Sequence, residues 1–188
     1  MHEKNKATCR RFIQRVFNEG DLSSLRDFVS PNSLHYDLDD LSVSPGRTPE
    51  ARNTEWFADM IRLYRLAFPD LRVDIQDQIA ENDRVVTCLR IQGTQKGPLL
   101  GIGVSGKRVD ITGIRIDRLA EGKIAESWFH WDGLGMMQQI GALPDLARNP
   151  KAAPWVHEIS TLPTLMLFPT PTPTRMPHPS AARLKPAA

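Results

Sequence analysis

Two cysteines, two tyrosines and the want of any long apolar run mark this 188-residue chain by what it has little of, and each scarcity removes a class of protein. Cys9 and Cys88 each sit in apolar patterning, so the sequence offers no disulfide framework and reads as carrying buried free thiols in a reducing compartment. No stretch reaches the ~20 apolar residues of a membrane span. The opening MHEKNKATCRRF lacks the apolar core of a secretion signal, and the expected location is the cytoplasm. A formal net charge of +2, with no basic run interleaved with aromatics, argues against nucleic acid as a partner. The histidines at 2, 35, 130, 157 and 178 show no ligand spacing, so no metal site is expected. There is no G-x-S-x-G and no P-loop. The glycines of GPLLGIGVSG do not sit between a strand and a helix, so no dinucleotide or other cofactor is implied.

A hydrophobic content of 40% is enough for the core of one domain, and the apolar pattern says where it ends. Cys9, Phe12, Ile13, Val16 and Phe17 repeat with helical spacing up to Gly20, and Asp21 caps a short second helix bearing Leu22, Leu25 and Phe28. Thr48-Pro49 reads as the N-cap and first position of a third helix with the stripe Trp56, Phe57, Met60, Ile61 and Tyr64. From Leu71 the period becomes two, through a strand to Gln76, a turn at Glu81 to Arg84, and a strand from Val85 to Gln92. In the next strand Val109 and Ile111 hold one parity and Ile114 and Ile116 the other, which predicts a β-bulge at Gly113. After position 143 the composition shifts, because residues 144–188 carry ten of the fifteen prolines. The sequence therefore divides into a domain, 1–143, and a Pro-rich extension, 144–188, read as extended or partly disordered, whose apolar Leu162 to Phe168 is either a segment docking on the domain or a second subunit, or part of a frayed tail, the reading preferred.

The segment from Gly122 to Gly141, GKIAESWFHWDGLGMMQQIG, concentrates the most information. Glu121-Gly122 makes a hairpin turn, and Trp128 and His130 share one face of the returning strand with Asp132 while Phe129 and Trp131 take the other. Leu134, Met137 and Ile140 then form a helical stripe that Gly141 ends. Asp132 has two readings, a desolvated general acid or base and the N-cap of that last helix. His130 reads either as a proton carrier near neutral pH or as a half-buried neighbour of Trp128. Arg90 and Gln92 lie opposite Leu89 and Ile91. On a concave face Arg90 would steady an enolate or carboxylate oxygen, and on a convex one it is a solvated or interface charge.

This segment, together with FPDLRV at Phe68 to Val73, GTQKGPLLGIGVSGKRV at Gly93 to Val109 and GIRIDRLAEGKI at Gly113 to Ile124, resembles the SnoaL-like polyketide cyclase or ester cyclase family over roughly residues 7 to 144. The resemblance implies an α+β NTF2-like cone, in which a curved antiparallel sheet wraps around N-terminal helices and leaves one deep pocket. It also implies a homodimer paired through the convex face. The cyclases that give the family its name place an acid/base Asp three residues before the position of Asp132, and here that residue is Phe129. A pocket histidine of theirs matches Arg115, and the His of their GTH-x-G run is Gln95. The short pocket strand after the second helix is matched by Tyr36, whose phenol could hold a substrate carbonyl or be satisfied by backbone.

The catalytic candidates are thus Asp132, His130 and Arg90, with Tyr36, Trp56, Gln92, Gln95, Arg115 and Phe129 as substrate-binding candidates. Trp56 reads by its spacing as core as well. Two functions stay open. One is a cofactor-independent enzyme performing acid/base cyclisation or isomerisation of an apolar oxygenated small molecule, polyketide- or terpenoid-like, in secondary metabolism. The other is a non-catalytic binding or scaffold module of the same cone. Epoxide hydrolysis is less favoured, because the Arg-x-Asp and second Asp it needs are here Arg90-Ile91-Gln92 and Phe129.

Overall fold

The structure is a computed structural model that describes residues 1–38 and 51–144. Helix α1, His2–Phe12, runs on as one π-helical stretch, Ile13–Asn18, which keeps Cys9, Phe12, Ile13 and Val16 on a single buried face. Asp21 caps the next turn through the amide of Ser24 at 3.3 Å, leading into α2, Leu25–Phe28, and strand β1, Val29–Asp37. Helix α3, Thr54–Ala67, begins five residues later than the expected Thr48-Pro49 start. Its cap is Asn53, whose side chain accepts from the Trp56 amide at 3.0 Å. Residues 48 and 49 lie outside the described residues, as does the Pro-rich extension beyond Pro144.

Four strands follow: β2, Arg72–Glu81; β3, Arg84–Thr94; β4, Arg108–Ala120; and β5, Lys123–Trp131. The sheet order is β1-β5-β4-β3-β2. The expected antiparallel curve holds from β2 to β5, and β1 joins the β5 edge in parallel, which makes the sheet mixed. The hairpin between β4 and β5 turns on Glu121 and Gly122, both at positive φ, which suits the right-handed twist of the flanking strands.

Gly113 is not a bulge. It stays in register with Leu89 on one side and Trp131 on the other. The irregular positions are between Val29 and Leu34 in β1, between Ile75 and Asp77 in β2, and between Glu126 and Ile124 where β5 meets β4. The apolar residues of β4 change parity because the inner face becomes polar beyond Gly113, with Arg115 and Asp117 buried while Ile114, 47% exposed, looks outward. The core lies between this inner face and the helices, where Phe12, Phe28 and Phe57 meet Phe129 and the aliphatics of β3 and β4. The last helix, α4, Gly133–Ile140, buries Met136, Met137 and Ile140 and ends at Gly141 in the left-handed conformation. Among the described residues no helix is long and apolar enough to cross a membrane.

Candidate functional site

Strand register assembles the polar interior. Asp117 on β4 pairs with Ser127 on β5, and Ser127 pairs with His35 on β1, so three buried polar residues form one row across the inner face. The adjoining row places Arg115 between Thr87 and Phe129. Arg115 Nε donates to both carboxylate oxygens of Asp117, at 2.8 and 3.0 Å, and its Nη2 donates to Ser127 Oγ at 2.6 Å. Ser127 Oγ in turn donates to Asp117 Oδ1 at 2.6 Å. Nη1 carries no hydrogen bond among the described residues. The rings of Phe12 and Phe57 lie 4.8 and 5.2 Å from the guanidinium carbon, so the cation is screened from water by aromatic faces.

His35 is fully buried and stacks on Phe57 at 4.2 Å with the planes 3° apart. Its Nε2 is 2.9 Å from Ser33 Oγ, which lies 2.8 Å from Thr54 Oγ1 at the start of α3. Nδ1 is buried without a partner among the described residues. Burial, and then the charge of Arg115, pull the imidazole pKa down to about 3, so the ring is neutral at ordinary pH. Cys9, also buried, has its thiol pKa pushed up by burial and by the nearby Asp117.

Beside this cluster, under α3, lies an apolar cavity of about 40 Å³. Met60 and Tyr64 of α3 form its roof, Phe129 and Trp131 one wall, and Arg115 is its one side chain with a permanent charge. His130, at the end of β5, borders this cavity and also a shallow groove of about 600 Å³ on the other side of the sheet, where Cys88, Ile114 and Leu134 contribute.

Of the residues expected from sequence, Arg115 and Phe129 are brought together at the cavity, while His130, exposed and opposite the outward Ile114, stands at its edge with its side chain on the other face of β5. Arg90 is on the outer face. It is bound to Asp110 through Nε at 2.8 Å and through Nη2 at 2.5 Å, with Gln92 donating to the same carboxylate at 2.9 Å. That pairing holds the Asp110 pKa down to about 2. Tyr36 is also outside, stacked on Trp128 at 5.3 Å, because the parallel register sets its neighbour His35 on the inner face. Trp56 lies on α3 with the Arg52 guanidinium 5.7 Å from its ring. Gln95 pins a loop, accepting from Ser105 Oγ at 2.6 Å and donating to the Gly103 carbonyl at 3.2 Å. Asp132 is the N-cap of α4, accepting from the Gly135 amide at 2.8 Å with its side chain exposed. Asp117, Ser127 and His35 were not among the expected site residues, although strict alternation from Val109 through Gly113 puts Arg115 and Asp117 on the core side.

The profile of the SnoaL-like polyketide cyclase family matches residues 7–140. No curated protein sequence matches the chain. Among solved structures, TsrD from Streptomyces laurentii is 29% identical with a TM-score of 0.62, covering 75% of this chain and 97% of that one. A protein of Jannaschia sp. CCS1, named as a candidate SnoaL-like polyketide cyclase, is 26% identical with a TM-score of 0.61, covering 76% of this chain and 95% of its own. AclR from Streptomyces galilaeus, named as a candidate hydroxylase, is 24% identical with a TM-score of 0.68, covering 87% of this chain and all of that one, and its likeness is one of fold.

Proposed function

This chain belongs to the SnoaL-like polyketide cyclase family, and from that premise we propose that it is a cofactor-independent enzyme performing acid/base cyclisation or isomerisation of an apolar, oxygenated small molecule held in the cavity under α3. The observation that carries the reading is the position of Arg115, a buried cation on the wall of an apolar cavity whose Nε and Nη2 are engaged by Asp117 and Ser127 while Nη1 makes no hydrogen bond among the described residues. In such a reaction a proton leaves the carbon beside a carbonyl, negative charge grows on the carbonyl oxygen, and that charge is what a fixed, desolvated donor stabilises. Arg115 takes the part that sequence alone gave to Arg90. The acceptor for that proton is His130, exposed on the outer-groove side of β5 at the edge of the cavity, which takes it as the substrate enolises and passes it to solvent.

A cavity of 40 Å³ admits water but not a ligand of ordinary size, which needs roughly 300 Å³ or more. Binding therefore moves the half-buried Trp131 and Tyr64, which meet edge to face at 4.4 Å across its wall. The outer sheet face, with Ile79 63% and Ile114 47% exposed, supports pairing of two copies.

Exchange of the α-hydrogens of an enolisable aromatic ketone with deuterium, followed by proton NMR, tests the proposal without knowledge of the natural substrate. The protein should accelerate exchange over buffer, and Arg115→Met should lower it by ~100-fold or more. A second reading, a binding module, is favoured by the full engagement of Asp117 and by Phe129 on the cavity wall. Ketone binding without exchange would establish it.

A further inference from the structure

We infer that the interior site selects electrically neutral, carbonyl-bearing ligands over carboxylates, and that Asp117 is the residue that sets this selectivity. The inference rests on the reading of the cavity under α3 as the ligand site.

Charge balance is the argument. Among the buried residues, Arg115 and Asp117 are the two that carry formal charge, one of each sign. They are 2% and 0% exposed and directly hydrogen-bonded, so the interior is neutral as built. Apart from Tyr64 and the exposed His130 at its edge, the cavity wall around Arg115 is apolar, and Arg115 is its one permanent cation. A carboxylate placed on Nη1 would leave two carboxylates for one guanidinium in a largely apolar, buried site. The uncompensated negative charge carries a desolvation cost that a single extra hydrogen bond does not repay. A ketone or aldehyde oxygen accepts from Nη1 and adds no charge. Arg115 alone would be a carboxylate receptor, and Asp117 converts it into a carbonyl receptor.

The neighbouring groups leave this balance unchanged. His35 faces the cluster from β1 as a neutral ring, and Ser127 and Thr87 are uncharged. Cys9, on α1, is held as the thiol by burial and by the same carboxylate.

The test compares acetophenone with benzoate on the full-length protein, by calorimetry or by quenching of tryptophan fluorescence. Acetophenone should bind at least ~10-fold more tightly, and Asp117→Asn, which leaves the cation without its counter-charge, should invert the order. Should Asp117→Asn fail to fold, the pair Arg115→Gln with Asp117→Asn keeps the site neutral and should still take acetophenone and reject benzoate. Benzoate binding as tightly as acetophenone to the wild type would overturn the inference, as would an unchanged ratio in Asp117→Asn or benzoate accepted by the neutral pair. Met60→Trp fills the cavity and should abolish binding of both. If neither compound binds the wild type, or if Met60→Trp leaves both unaffected, the ligand-site reading falls and takes this inference with it. If both bind at the cavity without preference, the inference alone falls.

Discussion

Arg115 and Asp117, two positions apart on β4, form an ion pair closed off from water, with Nε 2.8 and 3.0 Å from the two carboxylate oxygens and exposures of 2% and 0%. Removing one partner strands the other as a bare buried charge. Asp117→Ala should lower unfolding stability by about 3–5 kcal/mol, a large share of what a domain of this size possesses. The pair Arg115→Met with Asp117→Leu should recover most of that loss, since two apolar side chains leave no charge behind. Urea unfolding of the three proteins measures both effects, and an Asp117→Ala protein as stable as the wild type would show that the pair is solvated.

His35 makes stability depend on pH in a definite window. Its folded pKa, about 3, lies below the 6.5 of an unfolded histidine, so between those values the unfolded chain binds a proton that the folded chain does not. The contribution is fully present above pH 6.5 and is lost as pH falls toward 3, at a slope of about 1.4 kcal/mol per pH unit. His35→Phe should flatten the slope between pH 6.5 and 5, a range above the pKa values of Asp70, Asp110 and Glu126, all of which are lowered. Chemical denaturation at pH 5 and pH 7 measures this. An equal difference in wild type and variant would show that His35 is not the group responsible.

The two thiols should differ in reactivity. Cys9 is fully buried with its pKa raised, while Cys88 is half-buried on the outer sheet face. The native protein should release one equivalent of thionitrobenzoate per chain from Ellman's reagent, and two after denaturation. Two fast equivalents in the native state would place Cys9 within reach of solvent.

Asp132 should behave as a cap. Asp132→Ala should cost about 1 kcal/mol of stability and Asp132→Asn less, with ketone binding unchanged in both. Gly135 belongs to the same device, because a Cβ there would stand 2.1 Å from Asp132 Oδ2. Gly135→Ala should therefore destabilise α4 about as much as losing the cap does. Loss of ketone binding in Asp132→Asn, with stability intact, would return Asp132 to the site.

Much of this fold is legible in the sequence because its signals are local. The alternation of β3, the turn at Glu121-Gly122, the capped helix from Gly133 and its end at Gly141 all depend on residues within a few positions of one another. The site is less legible because it is assembled across strands. His35 meets Ser127 only through the parallel addition of β1 to β5, a pairing with no local signal. The pairing of Arg115 with Asp117 was obscured for a different reason. Ile114 and Ile116 on the outer face imitate a change of register at Gly113, so an unbroken strand reads as a bulged one; Arg115 is reached only through the family resemblance, and its partner Asp117 goes unnoticed. At Asp132 both readings were visible, and the hydrogen bond it accepts from the Gly135 amide shows the cap.

The central claim is that the ligand site lies under α3 with Arg115 as its polar contact. A crystal structure of the protein soaked with acetophenone tests it most directly. The account predicts density between Tyr64 and Phe129, Trp131 displaced, and the carbonyl oxygen ~2.9 Å from Arg115 Nη1. Density confined to the outer groove beside Cys88 and Ile114, with the interior unchanged, would contradict it.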